Sequence, residues 1–169
     1  MQMVKTLFDK LLTLICVTLF IEMTLVGTYQ IVTRYFFNSP STISEEIVTY
    51  SFTWLAILGA SQVFGKRGHL CMTFFSSKFT GKKKVYLDIF SELTVMLTAV
   101  SLLIYGGYIM SVENLDQETA SLGISMGFMY AVLPVSGVII CVYALINLLE
   151  MFKVLSSPDV DRYGITTEE

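Results

Sequence analysis

Four apolar stretches dominate the chain, and each is long enough to be built for a solvent other than water. They fall at about 11–33, 47–64, 85–110 and 128–149. A helix needs about 20 predominantly apolar residues to cross the hydrocarbon core of a bilayer. Glu22 alone interrupts the first stretch, the second and fourth carry no charge, and the third has Asp88 and Glu92 near its start. Lipid cannot satisfy open backbone groups, so each stretch is expected to be helical; the ten-residue alternation of a membrane barrel is absent. Hydrophobic residues make up 54% of the 169 and charged residues 15%, against about 45–50% and about 25% in a soluble domain. Those figures exclude a disordered chain, a basic nucleic-acid binder and a disulfide-rich module. The expected fold is an all-α integral membrane protein with four transmembrane helices. A single membrane domain over 1–155 is followed by a polar tail, 156–169.

Lysine and arginine in short loops set the orientation of such a chain. Lys5 and Lys10 precede the first span, Lys153 and Arg162 follow the last, and the loop between spans two and three carries Lys66, Arg67, Lys78, Lys82, Lys83 and Lys84. Arg34 is the one basic residue elsewhere; it shares its side with Glu45, Glu46, Glu113, Asp116 and Glu118. Ten of the eleven basic residues therefore lie on the side of the termini. Both termini are expected in the cytoplasm. Ahead of the first span, Val4, Leu7, Phe8 and Leu11 share a helical face, with Lys5 and Asp9 away from it. That spacing fits either a short amphipathic segment on the membrane surface or a plain extension of the helix. The second loop holds Leu70, Phe74, Phe75 and Phe79, too apolar for a solvated loop. It is expected to lie at the interface, with Phe74 and Phe75 as lipid anchors and Lys82, Lys83 and Lys84 beside anionic headgroups.

The residues that carry chemistry are few. One histidine, His69, excludes a bis-histidine haem carrier. Cys16, Cys71 and Cys141 are dispersed, and no P-loop, nucleophile elbow or zinc spacing is present, so the sequence argues against an enzyme. Glu22 lies near the middle of the first span, with Thr18, Tyr29 and Thr33 on the same face. It reads either as a proton or ion site or as a hydrogen bond between helices. One carboxylate makes a poor cage for a hard cation. Ser44 is a candidate cap for the second helix, with Glu45 and Glu46 meeting its dipole, and Thr42 with Glu45 satisfies a capping box. Asn38 fits the turn before it, and Arg34 could pair with either acid. Trp54 sits mid-span; Ala56, Gly59 and Ala60 form a small-residue face that permits close helix approach. Gly106, Gly107, Pro134 and Gly137 can bend or thin their helices. Lys84, Asp88 and Glu92 read as local charge balance.

One combination is specific: Arg34-Tyr35-Phe36-Phe37-Asn38, then Ser44-Glu45-Glu46, Trp54, Leu58-Gly59-Ala60 and Lys66-Arg67-Gly68-His69. It resembles the signature of the small permease (Q-type) subunit of TRAP transporters, the tripartite ATP-independent periplasmic transporters. Ile43 and Cys71-Met72-Thr73 depart from the pattern, where tryptophan and a valine–aspartate pair are common. The resemblance implies a bacterial inner-membrane subunit that packs beside a large permease and scaffolds its motion. It also implies a periplasmic substrate-binding protein as partner, sodium sites in the large permease and no cofactor in this chain. Phospholipid is expected at the interface, and nucleic acid is no partner. The cargo would be an organic anion of the C4-dicarboxylate or sialic acid kind. Arg34, Asn38, Glu45, Glu46, Trp54, Gly59 and His69 then become candidates for contact with the large subunit or the binding protein. The competing reading is a self-assembling, proton-coupled multidrug-type exporter that uses Glu22. The asymmetric lysine distribution disfavours it, because such exporters tolerate dual orientation.

Overall fold

The structure, a computed structural model, describes residues 2–65 and 82–155, apart from the side chains of residues 2–4, 82, 83 and 154. Helix α1 runs Gln2–Phe36, α2 Thr42–Gly65 and α3 Lys82–Thr98; a π-helical segment, Ala99–Gly106, continues α3 into α4, Gly107–Glu113. After a hairpin come the short α5, Met126–Tyr130, and α6, Val132–Leu155. Four helical spans, Lys5–Phe36, Thr42–Gly65, Lys84–Glu113 and Met126–Lys153, are long and apolar enough to cross a membrane. Among the described residues the only strand-like pairing is an isolated one between Glu118 and Ser125.

The helix ends follow from local chemistry. Asn38 closes α1 in the left-handed region at φ 48°, which asparagine tolerates better than most residues. That turn brings the Ser39 N–H back to the Thr33 carbonyl at 3.2 Å. Ser41, one residue before α2, caps it: its hydroxyl accepts from the Ser44 N–H at 3.3 Å and from the Ser44 hydroxyl at 2.9 Å. The expected caps, Ser44 and Thr42, are thus one to three residues too late. Pro134 breaks the fourth span. It has no N–H to return to the Tyr130 carbonyl, so α5 and α6 separate at Ala131.

α1 packs along α2, α2 along α6, and α6 along the third span, which makes no extensive contact with α1 or α2. The helix at the centre is therefore α6. Its buried positions, among them Val132, Ser136, Ile140, Tyr143, Asn147 and Met151, recur every three or four residues, the repeat of one helical face. Leu12, Leu58, Val132 and Tyr143 form the main core; Val85 and Met151 join α3 to α6 at one end. Elsewhere the surface is apolar, with Leu25, Phe90, Leu97, Leu102 and Phe128 each about two-thirds exposed, as befits a surface in contact with hydrocarbon. Exposed threonines on these spans return their hydroxyls to their own helix: Thr18 to the Leu14 carbonyl, Thr24 to Phe20, Thr53 to Thr49 and Thr98 to Thr94.

Of the two readings for the residues ahead of the first span, the start of α1 is the helix extension. It is continuous with the span, and at 35 residues α1 is about 52 Å long, well beyond a core of about 30 Å. Leu7 and Leu11 are exposed, while Phe8 and Leu12 pack into the core and Lys5 and Asp9 turn toward α6. The polar residues of the lead-in thus share the docked face, because α6 supplies buried polar partners that its own periodicity does not advertise.

Candidate functional site

Polar side chains meet at three levels. At the end bearing the N terminus, the Lys5 ammonium donates to Asn147 Oδ1 at 2.9 Å, and Asn147 Nδ2 donates to Glu92 Oε1 at 2.8 Å and to the Gly65 carbonyl at 3.4 Å. Asn147 is fully buried and Glu92 nearly so. One turn back on α6, the Tyr143 hydroxyl donates to Asp9 Oδ1 at 2.5 Å. Gln62 Nε2 donates to Thr13 Oγ1 at 2.8 Å and to the Asp9 carbonyl at 3.2 Å. Gly65 makes this knot possible: a Cβ there would lie 2.5 Å from the Tyr143 ring. The knot joins α1, α2, α3 and α6 in a place where each buried donor needs an acceptor.

The second level is the middle of the span. Ser51 on α2 donates to Glu22 Oε2 at 2.7 Å. The hydroxyls of Thr18 and Thr33 turn back into α1, and Tyr29 is exposed. The expected polar stripe therefore reduces to one carboxylate fastening α1 to α2. The third level is the opposite end, where Glu46 Oε2 accepts the backbone N–H groups of Ser121 and Leu122, each at 2.9 Å, and Oε1 accepts from Tyr50 at 3.4 Å. Those N–H groups belong to the hairpin between α4 and α5, closed by Thr119 N–H to the Ile124 carbonyl at 2.8 Å and Met126 N–H to the Gln117 carbonyl at 2.7 Å. Gly123 turns it at φ 63°.

The candidate residues thus separate. Glu46 is committed to the hairpin, whereas Glu45 is exposed in the first turn of α2. Arg34 is exposed and pairs with neither, so the expected ion pair is absent: Glu46 satisfies backbone donors instead. Asn38 is exposed beside Tyr35, Phe36 and Phe37, all more than 70% uncovered, an aromatic cluster of the kind found at membrane interfaces. Trp54 packs partly on the main core. Gly59 has open space around it, and Ala56 and Ala60 are exposed, so among the described residues their small-residue face meets no other helix. Close approach occurs instead at Gly107 and Gly137, where an added Cβ would lie 2.7 Å from Leu133 and from Ile104 respectively. Glu92 is no surface charge but part of the buried knot. Lys84 is half-buried near the start of α3. His69, Phe74 and Phe75 lie outside the described residues, as do the side chains of Lys82 and Lys83. Among the described residues no group of three metal-ligating side chains converges.

Sequence reasoning missed Asn147, Tyr143, Asp9 and Gln62. The available signal was an amide in the otherwise uncharged fourth span, since a polar group there must find a partner.

The chain matches the family model for the DctQ component of tripartite ATP-independent periplasmic transporters over residues 23–154. It is 30% identical over 155 residues to the sialic acid TRAP transporter small permease protein SiaQ of Vibrio cholerae, covering 92% of this chain and 89% of that protein. It is 29% identical over 140 residues to a provisionally assigned TRAP transporter small permease of Haemophilus influenzae, covering 83% and 86%. The four apolar helices agree with the matched stretch and its relatives: the chain belongs to the DctQ family and is a small permease component of TRAP transporters, a multi-pass membrane protein and not an enzyme.

Proposed function

We propose that this subunit packs against a large TRAP permease in the bacterial inner membrane and holds station while that partner moves. The system would take up an organic anion of the sialic acid or C4-dicarboxylate kind, delivered by a periplasmic binding protein and driven by sodium bound in the large permease. Both termini face the cytoplasm, and phospholipid fills the seams between subunits. Membership in the family supports the partnership, and the sialic acid transporter relative supports the cargo class. The observation that carries the scaffold reading is the use of interior polar groups. Glu22, Glu46 and Glu92 each accept a hydrogen bond from another part of the fold. Polar groups so used fasten helices together. The exporter reading is not favoured, because its single proposed site, Glu22, ties α1 to α2.

Reconstitution tests the proposal. The chain, co-expressed with a large permease from its own gene neighbourhood, should co-purify in detergent. Liposomes containing both should accumulate sialic acid or a dicarboxylate only with a sodium gradient and the binding protein. A chain that isolates alone as a homodimer and exports cations on a proton gradient would overturn it.

A further inference from the structure

Two helix defects lie against each other in this fold. The third span loses its α-helical register over Ala99–Gly106, where π-helical turns replace α-helical ones. The fourth breaks at Ala131 because Pro134 lacks an N–H. Gly107, the first residue after the π segment, is where the third span meets the proline break: a Cβ there would lie 2.7 Å from Leu133 Cβ and 2.9 Å from Pro134 Cδ. Wide π turns and proline breaks are the places where a helix changes direction at low cost. Beyond both defects lie α4, the hairpin and α5, which hydrogen-bond to one another and pack on the π segment and α6. Gly127 N–H donates to the Asn114 carbonyl at 3.0 Å, the Ser125 hydroxyl to the Leu115 carbonyl at 2.7 Å, and Gly127 is seated against the Ser111 carbonyl and Leu115. Among the described residues, each hydrogen bond from this unit to α1 or α2 ends on the Glu46 carboxylate.

We propose that residues 107–130 form a cap that moves as one body on a paired hinge, the π segment in one span and the Ala131–Pro134 break in the other, with Glu46 as its latch to α2. The latch is strong for its size, since one carboxylate oxygen takes two backbone N–H groups. Among the described residues it is also the cap's one hydrogen-bonded tie to α1 or α2, so one side chain decides whether the cap is latched to α2. The hinge leaves the terminal half untouched, because the knot of Lys5, Asn147, Glu92 and Gly65 lies at the other end of the same spans. A cap of this kind can follow a moving neighbour while the remainder stays fixed. That use rests on the proposed scaffold role; the motion itself is read on this chain alone, so the two fail separately.

Spin labels on the full chain in lipid nanodiscs, with Cys16, Cys71 and Cys141 replaced, test the device. A pair at Asp116 and Ile43 reports the cap against α2; a pair at Leu93 and Leu145 reports the body. All four positions are exposed. Glu46→Ala should broaden the Asp116–Ile43 distance distribution and shift it to longer distance, while Leu93–Leu145 stays as in the parent. Glu46→Gln, which keeps an acceptor oxygen, should stay close to the parent. Pro134→Ala restores the missing N–H and should narrow the distribution again in the Glu46→Ala background. An unchanged Asp116–Ile43 distribution in Glu46→Ala would overturn the latch, as would equal broadening of both pairs. A double variant as broad as Glu46→Ala would overturn the hinge.

Discussion

A carboxylate in a membrane helix is judged by the donors that reach it. Glu22 has a serine hydroxyl, Glu92 an asparagine amide and Glu46 two backbone N–H groups. A hydroxyl-to-carboxylate bond survives when the acceptor becomes an amide oxygen. Glu22→Gln is therefore expected to change subunit stability by no more than about 1 kcal/mol, the usual range for polar contacts between membrane helices. Uptake by the assembled transporter should persist. Uptake lost with assembly intact would return Glu22 to the status of an ion or proton site. Asn147 stands differently. It is fully buried and touches three partners at once. Asn147→Ala takes a donor from Glu92 and an acceptor from Lys5, at an expected cost of about 1–3 kcal/mol for buried polar groups left short of partners. Unfolding in mixed detergent micelles measures it; a loss too small to detect would mean that water or lipid headgroups reach the site.

Between helices, contact is governed by the residues that have no side chain to spare. Gly65→Ala would put a methyl 2.5 Å from the Tyr143 ring. The ring must move, and with it the bond to Asp9, so a loss of about 1–3 kcal/mol is expected for an overpacked site. Gly59→Ala meets nothing within 4 Å and should gain about 0.5–1 kcal/mol from helix propensity. The informative case is the complex: if the Ala56, Gly59 and Ala60 face meets the large permease, Gly59→Ala weakens co-purification while the isolated subunit becomes more stable. Unchanged co-purification would place that face in lipid. The same contrast explains what the sequence reveals of the elements. Four spans are legible because length and apolarity suffice to define a membrane crossing. The rank of α6 as the central helix is not, since Ser136, Tyr143 and Asn147 are thinly spread among apolar residues and periodicity cannot separate an apolar face against protein from one against lipid. Small residues mark where close approach is possible, as at Gly107 and Gly137, but Gly59 carries the same mark and has no neighbour among the described residues. Glu45 and Glu46 are adjacent and alike in sequence. Only the hairpin, seventy-five residues away from Glu46 at Ser121, separates their roles.

At the scale of the molecule the helices sort charge by end. Contact between Lys5, Glu92, Asn147 and Gly65 gathers the N terminus, the end of α2, the start of α3 and the end of α6 on one side. Contact between Glu46 and the hairpin gathers the α1–α2 turn and the α4–α5 connection on the other. Lys10, Lys84 and Lys153 belong to the first end; Arg34, Glu45, Glu113, Asp116 and Glu118 belong to the second. Basic residues near the ends of spans are retained in the cytoplasm during insertion, whereas acidic ones weigh little. Ten basic residues against one are the ground for the proposed orientation, with the hairpin outside. Single cysteines at Asp116 and at Lys10, in a chain cleared of its own cysteines, check this. A membrane-impermeant maleimide added to intact spheroplasts should label position 116 and spare position 10 until the membrane is opened. Labelling of both before opening would show dual insertion and remove the ground for a fixed scaffold. Labelling of position 10 alone would invert the molecule and place the Glu46 latch and its hairpin in the cytoplasm, out of reach of any periplasmic partner.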